Sequence, residues 1–155
     1  MKEDTPHSLK QVISWILGLA FMGSIIFIII DTPKIHTEDY ASMTGMNAYV
    51  HLTLHINNKN IPIPSGVGLI PTENPIHVHG KDNIIHLEFG GRVKNDDIRL
   101  GNFFALWGKD FSATSLLGNN TGNGHTITMH VNGIPSNEFE RYVMHDKDQI
   151  EIVYR

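Results

Sequence analysis

The sequence predicts a mainly β (α+β) small exported domain behind one N-terminal transmembrane helix, and three observations predict it. Val12 to Ile30 are 19 consecutive residues without a charge. Much of the chain from Tyr49 onward alternates apolar and polar residues with a period of two, as strands with one buried face do. Only one short stretch, Leu100 to Trp107, carries its apolar residues at helical spacing.

As a helix, residues 12–30 span roughly 28 Å, close to the hydrocarbon thickness of a bilayer. A cleaved signal peptide would have a shorter apolar core and a small-residue cleavage site, which Asp31-Thr32-Pro33-Lys34 does not supply. Lys2 and Lys10 precede the span and only Lys34 lies close behind it, so the N-terminus is expected in the cytoplasm. The expected layout is therefore a cytoplasmic tail (1–11), an uncleaved anchor in the lipid bilayer (12–30), a tether of mixed Pro, Thr, Ser, Asp and Gly (31–48), and an extracytoplasmic β-rich domain (49–155).

Composition narrows the chemistry. The 155 residues carry a net charge of −4, and no basic stripe is present, so a nucleic-acid partner is not expected. The absence of cysteine excludes disulfides, thiolate ligands and cysteine nucleophiles together. Histidine is the oddity: nine of the ten lie beyond the expected span.

The domain is expected to open at Tyr49, where Val50, Leu52, Leu54 and Ile56 alternate with His51, Thr53 and His55. Asn57-Asn58-Lys59-Asn60 is a turn, and Ile61-Pro62-Ile63-Pro64 returns as an edge strand, because its prolines cannot donate to a ladder. Ile76 to His79 and Ile84 to Phe89 form a hairpin about the turn Gly80-Lys81-Asp82-Asn83. Leu100, Phe103, Phe104 and Trp107 make a short helix that covers the sheet. Gly118 to Gly124 is a glycine-rich turn, and Asn119-Asn120-Thr121, though it matches a glycosylation acceptor, reads as loop only. Ile127, Met129 and Val131 lead to an Asn132-Gly133 turn; Tyr142-Val143 and Gln149 to Tyr154 close the sheet, with Asp146 and Asp148 solvated in the turn between them.

The hairpin carries the most specific chemistry. Side chains alternate across a strand, so His77 and His79 share one face, and His86 and Glu88 on the return arm can face them. Three imidazoles and a carboxylate suit copper or zinc, and two histidines at i and i+2 are near enough to share an ion. His51 and His55 are about 13 Å apart along an extended strand and can join only if that strand neighbours the hairpin. Met43 and Met46 are candidate soft ligands for Cu(I). Three histidines with an open fourth position would read as catalytic, a filled shell as structural or as a carrier. Against these stands the plain alternative that a solvated β face carries histidines bonded across strands with no metal. No serine or carboxylate pair stands in a context for metal-free catalysis.

Two resemblances add to this reading. Thr128-Met129-His130-Val131-Asn132-Gly133, with Asp146-Lys147-Asp148-Gln149-Ile150-Glu151-Ile152, resembles the end of β-grasp domains and implies a β-grasp-like C-terminal end; the terminal Val153-Tyr154-Arg155 lacks the two glycines of sulfur carriers. The succession of His51 to Ile56, Ile61 to Gly68, Ile76 to His79, Ile85 to Glu88, and Leu100 to Phe104 with Trp107-Gly108 is similar to a family of membrane-anchored, histidine-rich exported proteins of archaea and bacteria. That likeness implies the domain limits and the prominence of the histidines, and no reaction. Cupin spacing fits poorly, since it would put the glutamate at Asn83 or Ile84. The expected function is transition-metal binding for metal handling or delivery to an envelope protein partner; the alternative is a non-enzymatic interaction module or accessory subunit of a membrane complex.

Overall fold

The computed structural model describes residues 13–17 and 39–155. Residues 13–17 are helical and exposed; the rest of the expected tail and membrane span, and positions 31–38 of the expected tether, lie outside the described residues. Among the described residues no helix is long and apolar enough to cross a membrane. The chain divides into two compact units, and the second, Thr37–Arg155, carries the β domain.

In chain order its strands are β1 (Tyr40–Ser42), β2 (Gly45–Ile56), β3 (Lys59–Asn60), β4 (Ile76–His77), β5 (Ile84–Gly90), β6 (Val93–Lys94), β7 (Ser115–Leu116), β8 (Asn119–Asn120), β9 (Ile127–Val131), β10 (Ile134–Ser136) and β11 (Gln149–Tyr154). A helix spans Leu100–Trp107, and 3-10 turns occupy Asn95–Ile98 and Phe139–Arg141. The main sheet runs β10-β9-β11-β2-β5-β4, with β3 on the end of β2. The last strand, β11, lies parallel to β2 and antiparallel to β9; every other pairing in the sheet is antiparallel.

One face of this sheet is covered. Ala48, Val50, Leu52 and Leu54 of β2 bury beside Ile85 and Leu87 of β5 and Ile150 and Ile152 of β11. Leu100, Phe103 and Phe104 of the helix are buried in the same core, each contributing about 1.5 to 3 kcal/mol by its removal from water. The Phe104 ring stacks on Phe111, with centroids 4.4 Å apart. Gly108, in the left-handed conformation at φ 68°, ends the helix. The other face carries the odd-numbered residues of β2, with Asn47, Tyr49 and His51 exposed.

Several expectations need correction. The tether does not extend to position 48: β1 pairs with β6, and β2 starts at Gly45. Met46 and Ala48 continue the apolar alternation of Val50 to Leu54, a period hidden by the turn-forming residues around them. Ile61 to Pro64 is not a strand. After Ile61 donates its N–H to the Leu54 carbonyl, at 2.8 Å, Pro62 and Pro64 have no N–H to extend the ladder. Tyr142-Val143 is likewise not a strand, Val143 making only an isolated bridge to Arg99.

Asp148 is not solvated but buried. Its carboxylate accepts hydrogen bonds from Asn132 Nδ2 at 2.9 Å, the Tyr142 hydroxyl at 2.7 Å and the His145 backbone N–H at 2.8 Å. The same turn holds β2, since the Asp148 carbonyl accepts from His51 N–H and Lys147 N–H donates to the Tyr49 carbonyl, each at 2.8 Å. Burial, then the bond it gives to Asp148, raises the Tyr142 hydroxyl pKa well above its ordinary value of 10.0. The folded chain therefore keeps this proton longer than the unfolded chain, so the stability it contributes is complete below about pH 10 and is lost as pH rises further. We expect chemical denaturation between about pH 8 and about pH 11 to show a loss of stability on the alkaline side. Tyr142→Phe should flatten that loss and cost about 1 kcal/mol at neutral pH; an equally steep alkaline loss in the variant would assign it to another group.

Candidate metal site

The hairpin that brings the histidines together is set by cross-strand register. Ile76 lies opposite Leu87 and His77 opposite His86, so Ile76 and Leu87 go to the core while the imidazoles meet on the other face. Glu88 N–H donates to the Pro75 carbonyl at 2.7 Å, continuing the pairing beyond β4. Chain after His77 is held by the preceding loop: Val78 N–H donates to the Val67 carbonyl at 2.9 Å, and Gly66 N–H to the Val78 carbonyl at 2.8 Å. His79 therefore returns over His77.

The three rings form a compact group. Centroids of His77 and His86 are 5.3 Å apart and stacked, while His79 stands edge-on to both at 4.6 and 4.7 Å. His77 is only 1% exposed. Its Nδ1 lies 2.8 Å from the Asn74 carbonyl oxygen, which can only accept, so Nδ1 carries a proton and neutral His77 turns the Nε2 lone pair inward. His79 Nε2 lies 3.0 Å from that atom. Two lone pairs cannot face each other at that separation; a proton or a cation must stand between them. With metal–nitrogen bonds of about 2.0 to 2.1 Å, adjacent ligands on one ion lie about 2.9 to 3.4 Å apart, so the same distance suits a shared ion.

The remaining donors converge on this pair. Glu88 Oε1 is 3.5 Å from His86 Nδ1, and that nitrogen is buried without a hydrogen-bond partner among the described residues. One donor atom each from His77, His79, His86 and Glu88 fall within 4.8 Å of one another, and this group could hold a metal ion. His79 and Glu88 are exposed, which leaves the group open to solvent on one side.

The other histidines are elsewhere. β2 does neighbour the hairpin, but its register sets Tyr49 opposite His86 and His51 opposite Ile84. The Tyr49 ring meets His86 edge-on, centroids 5.0 Å apart. Two residues beyond Tyr49 on the same face, His51 misses the cluster. His55 lies further off, 3.7 Å from Glu151 on β11. His125 stacks on Tyr154, His130 faces Glu151 across the ladder, and His145 lies beside Asp148. Met46 packs against the core, on the face away from His86, and Met43 is exposed. His7 and His36 lie outside the described residues.

Three contributors escape the alternation pattern because they come from the loop before β4 or from a tyrosine. Asn74 sets the His77 tautomer, Tyr49 packs on His86, and Glu73 places Oε1 3.6 Å from His77 Nε2. Gly68 is the fourth such residue. At φ +79° its missing Cβ leaves room for His77: a Cβ there would collide with the Ile76 carbonyl oxygen and come within 3.1 Å of His77 Cβ. No protein-family model, curated protein or solved structure matches the chain.

Gly66 supplies an internal control, since at φ +84° a Cβ there would meet open space. Gly66→Ala should cost about 1 kcal/mol, from backbone strain alone, and Gly68→Ala about 2 to 4 kcal/mol, because it must also displace His77. Denaturant unfolding of the two variants measures the difference; equal losses would show that Gly68 is not what seats the histidine.

Proposed function

We propose that this chain is a membrane-anchored, extracytoplasmic binding protein for a transition metal, copper or zinc, serving metal handling or delivery to an envelope protein partner. One observation carries the reading: His77, His79, His86 and Glu88 direct their donor atoms into one small volume. The chemistry of the set agrees, because neutral imidazole and carboxylate together suit zinc and Cu(II). Core packing of Met46 leaves no support for a thioether ligand from that residue. The uncharged run 12–30 supports the anchor, and with it the extracytoplasmic position of the domain. Parallel pairing of β2 with β11, with the helix between β5 and β9 in the chain, supports a β-grasp-like C-terminal end.

A second reading is favoured by the uncovered sheet face, where Tyr49 is 45% exposed beside His51. In that reading the face contacts a protein partner and holds no ion, and the chain is an accessory subunit of a membrane complex.

Elemental analysis of the full chain, purified without an oligohistidine tag, separates the two. We expect near-stoichiometric copper or zinc after equilibration with both ions and dialysis. The double variant His77→Ala/His79→Ala should retain its fold by circular dichroism and hold none. Absence of metal from the parent chain would overturn the metal reading and leave the partner surface.

A further inference from the structure

We propose that Glu73 is a fifth ligand of the ion held by His77, His79, His86 and Glu88, and that the completed set selects a divalent ion over Cu(I). The inference rests on the metal reading above and goes beyond it by naming a ligand outside the four-residue group and the charge of the ion.

Glu73 is the exposed carboxylate that faces the buried histidine of the cluster. Its Oε1 lies 3.6 Å from His77 Nε2, the nitrogen that carries the lone pair while Nδ1 donates its proton to the Asn74 carbonyl. A carboxylate oxygen and an imidazole lone pair repel each other unless a proton or a cation lies between them, and an ion shared with His79 and His86 would fill that place. The approach is built into the backbone. Asn74, the next residue, donates its N–H to the Gly68 carbonyl at 2.7 Å, accepts from Ile76 N–H through Oδ1 at 3.0 Å, and accepts from His77 through its carbonyl. The Glu73 main chain is thus tied to the residue it faces. Only its side chain, 61% exposed, has to move to reach an ion.

Charge explains the selection. Three neutral imidazoles leave the charge of an ion uncompensated, whereas carboxylates from both Glu73 and Glu88 neutralise a dication. Cu(I), with one charge and a preference for thiolate and thioether, gains little from two hard oxygen ligands. Glu73, like His79, lies outside the strands, so it can leave without disturbing β4 or β5.

The test compares zinc affinity of the parent chain, Glu73→Gln and Glu73→Asp by competition against a chelator, with Co(II) absorption as the reporter of ligand number and type. We expect Glu73→Gln to lose at least about tenfold in affinity and Glu73→Asp to recover part of it. The loss should persist from about 0.1 M to about 1 M salt, since screening removes through-space attraction but not ligation. The Co(II) bands should shift in Glu73→Gln, and metal-free stability should stay unchanged. Affinity within about twofold of the parent, or a loss that vanishes at high salt, would overturn the fifth ligand while leaving the four-residue site intact. Failure of the parent chain to bind zinc, Co(II) or Cu(II) would overturn both, and tighter holding of Cu(I) than of zinc would overturn the divalent selection.

Discussion

The register of β2 is the constraint on which the rest depends. This strand of 12 residues is paired on both sides, to β5 along one half and to the parallel β11 along the other. A slip of one residue would turn Val50, Leu52 and Leu54 out of the core and bring Tyr49 and His51 into it. Alternation alone resists that slip, and the Asp148 turn adds a second restraint by bonding the main chain of Tyr49 and His51 from the far end of the sequence. Leu52 N–H, bonded to the Asn83 carbonyl at 3.0 Å, ties the same strand to the hairpin turn. Core, last strand and histidine hairpin are thereby aligned by one set of backbone bonds.

Asp148, which anchors that turn, is itself held by hydrogen bonds. It has three donors on its carboxylate, so much of the cost of its removal from water is offset by hydrogen bonds. Asp-Lys-Asp in a turn is the usual composition of solvated charge, and so the burial of Asp148 cannot be read from the sequence. What distinguishes Asp148 is the convergence of Asn132, Tyr142 and His145, residues up to 16 positions away. Only the fold brings them together.

Strand content, the helix and the pairing of His77 with His86 were legible because each depends on a local period or on a turn with its own chemistry, whereas His79, beyond the end of β4, reaches the group through the loop bonds that hold Val78. Alternation on each arm puts His77 and His86 on one face, and the Gly80 to Asn83 turn brings the arms together. The limits of β2 were less legible, since Thr44, Gly45 and Asn47 resemble tether composition while Met46 and Ala48 quietly continue the strand. The exclusion of His51 was not legible at all. It depends on which residue of β2 stands opposite His86, and nothing in either strand specifies that Tyr49 rather than His51 takes the place. Glu73 and Asn74 were invisible for a further reason: loop residues reach the site through irregular backbone, which has no period to read.

The candidate site is graded from inside to outside, and that gradient bears on what it can do. His77 is the fixed inner point, buried, held by Asn74 in one tautomer and seated against Gly68. His86 is half-buried and braced by the Tyr49 ring. His79, Glu88 and Glu73 are exposed. A structural ion is usually enclosed by ligands that all belong to the folded interior, and losing it unfolds the domain. Here the apolar core lies on the other face of the sheet, and the outer candidate ligands His79, Glu88 and Glu73 are exposed, where they could be exchanged one at a time. An ion bound in this way would be held by a prepared inner nitrogen and released through the outer ligands, an arrangement that would suit handling or delivery better than a purely structural role.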